Sequence, residues 1–149
     1  MNKKTRAKIS IAAIIAALFL TVLILRVSDD NNIVKLKNYS VASEYMERGW
    51  IPKDISKNAR DIFLVYNLDS NIVNIKFYIP KEEIINILKR TESTSLENLK
   101  KETQALNIKF IPLETKLKEN KDKALIRKDL NYIYVVYPTG EIYILNKIN

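Results

Sequence analysis

The fold is decided by Asn131-Tyr132-Ile133-Tyr134-Val135-Val136-Tyr137-Pro138-Thr139-Gly140-Glu141-Ile142-Tyr143-Ile144-Leu145-Asn146-Lys147-Ile148. Two runs rich in β-branched and aromatic residues flank Pro138-Thr139-Gly140, a cluster with turn chemistry, so the stretch reads as a β-hairpin. Neither run alternates cleanly between apolar and polar. Both faces of each are apolar, which suggests central strands rather than edges.

A second hairpin lies upstream. Residues 61–68 are again apolar on both faces, and Asp69-Ser70-Asn71 supplies a turn. The return strand places Val73, Ile75, Phe77 and Ile79 inward and Asn74, Lys76 and Tyr78 outward. Pro80 ends that strand and suits the first turn of a helix. Glu82 and Glu83 at its start and Lys89 and Arg90 at its end match the helix dipole, with Ile84, Ile85, Ile87 and Leu88 as the buried face. Thr94 and Glu97 have capping-box spacing and open a further helix carrying Leu96, Leu99 and Leu106. Residues 108–111 form a short extended run ended by Pro112, and the mixed-charge stretch 114–123 reads as a solvated loop or helix face. Before the first hairpin, 39–48 carries an apolar helical stripe of Val41, Ala42, Tyr45 and Met46, with Gly49 where a left-handed cap belongs. The order implies an α+β domain: two β-hairpins, with helices on one face of a mixed or antiparallel sheet.

Residues 9–25 hold no charge, Gly or Pro, and only Ser10 and Thr21 are polar. With Arg26 and Val27 the segment spans about 28 Å as a helix, close to a hydrocarbon core. A cleaved secretory signal is the competing reading, but Arg26-Val27-Ser28 puts a charge where a small residue belongs, which favours an uncleaved anchor. Lys3, Lys4, Arg6 and Lys8 precede the segment and place it in the inner (plasma) membrane as a single pass with the C-terminal domain outside the cytoplasm. The organisation read from the sequence is therefore a basic cytoplasmic segment 1–8, a transmembrane signal-anchor 9–27, a polar stalk 28–37 and an extracytoplasmic α+β domain 38–149. The wealth of Ile, Lys and Asn beside few Gly reads as prokaryotic, AT-rich coding.

The formal charge of +8 is concentrated around the hydrophobic segment, and Lys and Glu are interspersed through the rest. That distribution argues against a nucleic-acid partner, which requires a basic face. With no His and no Cys, Ser-His-Asp and Cys-His catalysis and the usual zinc, haem and iron–sulfur ligand sets are absent. Gly49 and Gly140, the two glycines, cannot build a phosphate-cradling loop. No catalytic, cofactor or metal residues are expected. An enzyme survives only as a carboxylate-pair hydrolase of envelope glycans, for which there is no local motif.

Trp50-Ile51-Pro52 sets an aromatic residue at the helix corner. Trp50 is either a core residue there or an anchor for a protein partner. On the second reading, the candidate partner-binding surface comprises Trp50, Pro52, Tyr66 and Asn71, where the corner meets the first hairpin. Gly49-Trp50-Ile51-Pro52, Ser56-Lys57-Asn58-Ala59-Arg60-Asp61-Ile62, Asp69-Ser70-Asn71 and Phe77 together resemble the YbbD head domain of small anchored bacterial proteins. Trp50, Pro52, Ala59, Ile62, Asp69 and Asn71 match its pattern, whereas Asn58, Ser70 and Ile79 depart from it. The resemblance implies an anchored extracytoplasmic domain of unassigned activity and brings no catalytic residues. The leading expectation is a membrane-tethered, non-catalytic binding or envelope-associated module. A membrane-anchored immunity protein that neutralises a toxin is the alternative.

Overall fold

The computed structural model describes residues 14–15, 17–21, 31–68, 70, 72–103, 113–120 and 123–147. Among the described residues seven strands form one sheet: β1 (Asn31–Asn38), β2 (Arg60–Asn67), β3 (Ile72–Tyr78), β4 (Glu92–Ser93), β5 (Leu125–Lys128), β6 (Tyr132–Val136) and β7 (Glu141–Asn146). Their spatial order is β1-β2-β3-β7-β6-β5-β4. Both expected hairpins are present, β2 with β3 and β6 with β7. The two join where β3 pairs antiparallel with β7, matching Tyr78 to Glu141 and Asn74 to Leu145. β4–β5 and β5–β6 are antiparallel as well, so the open choice between mixed and antiparallel resolves to antiparallel at each of these pairings.

Short helices accompany the sheet among the described residues: α1 (Ser43–Glu47), α2 (Ile84–Arg90), α3 (Leu96–Glu102) and α4 (Leu113–Glu119). They do not share one face, contrary to the sequence reading. Ala42, Met46 and Ile87 pack with Leu64, Ile75, Phe77, Tyr134, Val136, Ile142 and Ile144 on the first face. Leu99, Leu113 and Leu117 pack with Val65, Ile133, Val135, Tyr137, Tyr143 and Leu145 on the second. The reason is the two-sided apolar character of the central strands. Tyr134 and Tyr143 point to opposite faces, and both are fully buried. Leaving either face wet would forfeit roughly 1.5–3 kcal/mol per large side chain. Asn74, read as outward, is accordingly buried at 3% exposure under this second layer.

Other boundaries move for local reasons. The segment read as a stalk, 28–37, contains β1. Val34 and Leu36 alternate inward with period two, and Leu36 is buried, which suffices to seat an edge strand. Helix 39–48 starts as a 3₁₀ turn at Tyr39–Ala42, capped by the Asn38 side chain accepting from the Val41 N–H at 3.3 Å, and leaves Val41 exposed. Ile85 is also exposed rather than part of the buried face of α2. The helix after it begins one residue later than the capping box implies: Ser95 caps α3 by accepting from the Asn98 N–H at 3.1 Å. Leu106 and the extended run 108–111 lie outside the described residues.

Most of the segment 9–27 also lies outside the described residues. Ile14, Ile15 and residues 17–21 are helical, with Ile14, Ile15, Leu18, Phe19 and Leu20 exposed. Among the described residues no helix is long and apolar enough to cross a membrane.

Candidate functional site

The aromatic corner is built by a helix ending. Gly49 adopts φ +77°, the left-handed conformation that residues with a Cβ resist. Its N–H donates to the Met46 carbonyl at 3.1 Å, and the next N–H, of Trp50, reaches back to the Tyr45 carbonyl at 2.9 Å. This pair of bonds is the Schellman motif, and it turns Trp50 out of the helix and onto the sheet. There the indole stacks on Tyr66 of β2, with ring centroids 4.2 Å apart and planes 21° from parallel. Tyr45 leans against it at 5.9 Å, and the Arg48 guanidinium lies 5.2 Å from the indole centroid. Trp50, Tyr45 and Tyr66 are each half-buried, resting on the first core while keeping an exposed edge.

Of the four residues expected at this surface, the structure brings Trp50 and Tyr66 into direct contact. Pro52 is buried beneath the loop and presents nothing outward. Asn71 lies outside the described residues. A cleft of about 260 Å³ opens beside the indole, lined by Arg48, Gly49, Trp50 and Val73 on one side and Asn131, Tyr132, Asn146 and Lys147 on the other. Sequence reasoning missed this second wall. It lies more than sixty residues from Trp50 in the chain, and no local pattern connects them.

At the other end of the same face, a cavity of about 320 Å³ lies between loop 54–58 and α2 over Phe77, Ile79 and Ile87. The Glu83 carboxylate ties that loop down, accepting from the Ser56 hydroxyl and from the Asn58 side-chain amide at 2.5 Å. Those two bonds hold Glu83 below the usual carboxylate range, against a smaller opposing effect of desolvation. Because its folded pKa is depressed, the tie is intact above the ordinary carboxylate range and is lost as pH falls through the lowered value. Acidification should release the loop, seen as a shift of the Asn58 amide resonance, and Glu83→Gln should remove the transition. An Asn58 amide that ignores pH in the wild-type chain would contradict this assignment. Asp54, the other acid lining the cavity, pairs with Arg90. A general acid for glycoside cleavage needs a raised pKa, the opposite of what Glu83 shows.

The second face holds a buried ionic cluster. Glu141 opens β7 directly after the turn and is 4% exposed in its side chain. Its carboxylate takes the Tyr143 hydroxyl at 2.7 Å, the Lys76 ammonium at 3.1 Å and the Lys116 ammonium of α4. Burial, followed by the neighbouring Lys76 charge, lowers the Lys116 pKa. Burial likewise raises the Tyr143 hydroxyl and the Tyr137 hydroxyl nearby. The only sequence signal for this cluster was an acid at an inward position of an otherwise apolar strand.

Residues 30–78 match the family model of the YbbD head domain. That segment runs from β1 to the end of β3 and contains the whole Gly49-Trp50-Ile51-Pro52 corner and Tyr66, in agreement with the resemblance read from the sequence. No curated protein and no solved structure matches the chain. The cleft beside Trp50 thus has one wall from the matched segment and one from the β6–β7 hairpin, while Glu141 and Lys116 lie wholly beyond the matched segment. Among the described residues no group of three or more Asp or Glu could hold a metal ion.

Proposed function

We propose that this protein is a non-catalytic binding module that meets a protein partner through the aromatic corner of its head domain. The observation that carries the reading is the half-buried stack of Trp50 on Tyr66 with Arg48 over the indole. Trp, Tyr and Arg are the residues most enriched at interface hot spots, and rigid aromatic pairs lose little freedom on binding. A residue needed only for the core would be sealed, as Tyr134 and Tyr143 are.

We also infer that residues 9–27 anchor the chain in the inner membrane, with the domain outside the cytoplasm. The uncharged run over 9–25, the basic residues before it and the exposed apolar side chains of its described helical part support this.

The test is in-cell photo-cross-linking of the full-length chain, with the cross-linker at position 68, an exposed site two residues beyond Tyr66, or at position 128 in β5. One dominant protein captured from position 68, not from position 128, and lost in Trp50→Ala is the expected result. Equal capture from both positions, or none, would overturn the corner as the binding surface. Trp50→Ala unfolding the isolated domain would do the same, by making the residue core. Protease treatment of intact spheroplasts should digest the domain; a protected domain would refute the placement.

A further inference from the structure

Charges that are interspersed along the sequence are sorted by the fold at the β1 end of the second face. Phe63 of β2 lies opposite Lys76 of β3, and Lys76 lies opposite Tyr143 of β7. The Lys35 ammonium of β1 stands 5.8 Å from the Phe63 ring centroid, so one row runs Lys35, Phe63, Lys76, Tyr143 across neighbouring strands. Arg60 and Tyr78 pair in the adjacent row, with the guanidinium 5.9 Å from the ring centroid. Strict alternation would put Arg60 and Phe63, three residues apart, on opposite faces. A β-bulge brings them onto one. The register of β2 against β3 shifts between these two residues, and Asp61 within the shift takes φ +51°, a region that residues other than Gly enter rarely. Lysines on an edge strand guard against edge-to-edge pairing, but that role needs no bulge to carry Arg60 across.

Cations exceed acids here. Lys35, Lys37, Arg60 and Lys76 stand against Asp61 and Glu141. Lys35 and Lys37 are exposed and have no ion pair among the described residues. Asp61 lies 3.6 Å from Arg60 in an exposed pair of little strength, and Glu141 is shared between Lys76 and Lys116. A groove of about 400 Å³ opens along the β1–β2 junction, lined by both lysines, Asp61 and Phe63.

We propose that this face binds a phosphodiester-linked polyol chain of the cell envelope, a choice of polymer that rests on the placement of the domain outside the cytoplasm. Successive phosphates take Lys37 and Lys35, about 6.5 Å apart along the strand, and then Lys76, about 9.5 Å across the sheet. The C–H groups of the polyol between them cover the exposed part of Phe63. Lys76 is recessed, its side chain 26% exposed. A flat bilayer surface would meet only the cations that stand clear, whereas a single chain reaches Lys76 as well.

The experiment measures binding of the full chain, in non-ionic detergent at fixed ionic strength, to immobilised poly(glycerol phosphate). Saturable binding is expected, weakened about tenfold in Lys35→Gln/Lys37→Gln and strengthened in Asp61→Asn. Lys53→Gln/Lys89→Gln removes the same charge from exposed positions in the corner loop and on α2, and should bind as wild type. No binding, an equal loss in both lysine pairs, or no gain in Asp61→Asn would overturn the proposal. Should the first lysine pair fail to fold, Asp61→Asn still decides, since unfolding does not raise affinity. Tighter binding to a single-stranded oligonucleotide or to phosphatidylglycerol vesicles of matched phosphate content would overturn it in favour of those partners. Failure of the placement is separate: a domain protected in spheroplasts removes the envelope as the source, while the lysine and Asp61 effects report on the face alone.

Discussion

Replacing Gly140 with alanine is expected to destabilise the domain by about 2–5 kcal/mol, enough to leave it largely unfolded at growth temperature. Two effects act together. Gly140 sits at φ +90°, where a residue with a Cβ is strained. The added Cβ would also lie 2.2 Å from the backbone oxygen of Ile79, a contact that backbone cannot yield to. Ile79 is tied to the same turn, its N–H donating to the Gly140 carbonyl at 2.9 Å. Relief would therefore have to separate β3 from the β6–β7 turn. Urea unfolding of Gly140→Ala is the measurement. Wild-type stability in that variant would mean that the turn does not press on β3 as described. Gly49→Ala is the natural contrast: its φ is also positive, but nothing lies within 4 Å of the added Cβ, so only the conformational strain remains.

Glu141→Ala is expected to cost about 3–5 kcal/mol, because removing one member of a buried ionic cluster strands the others. Lys76 and Lys116 would face each other across Tyr143 without a counter-charge, and the Tyr143 hydroxyl would lose its acceptor. The two lysines are about a quarter to a third exposed, so they would turn partly toward water, which argues for the lower end of that range. The informative variant is the pair Glu141→Leu with Lys116→Met, which strands Lys76 alone and should therefore cost less than the two single losses summed. A double-mutant cycle in urea should show a coupling well above 1 kcal/mol. Single-variant costs that simply add would reduce the cluster to independent surface contacts.

The hairpins were legible in the sequence because their signals are local. Alternation of Val73, Ile75 and Phe77 and the turn residues around Gly140 need no distant information. The Gly49 cap was legible for the same reason. The two-sided layering was half legible: apolar residues on both faces of 132–136 and 141–146 announce two cores, yet nothing local says which helix takes which face. β1 was hidden by its polar composition, since Val34 and Leu36 are the only residues of the strand that turn inward. At the candidate site, Trp50 and Tyr66 were legible as a meeting of corner and hairpin. Pro52 was not, because its burial depends on where the following loop is pressed. Glu141, Lys76 and Lys116 come from three elements, and their association exists only in the folded chain.

The pairing of β3 with β7 has a further consequence during synthesis. The segment 30–78 finishes with β3, and the strand that covers its outer side is made roughly sixty residues later. At about 5–20 residues per second, β3 would wait some 3–12 s with one row of backbone groups unpaired. During that interval Ile75 and Phe77 stand in a strand edge open to any neighbouring nascent chain. Crowded ribosomes on one message would bring identical edges together. The yield of native protein should then depend on how quickly residues 79–140 are delivered, and slow codons in that stretch would favour entangled aggregates over finished domains.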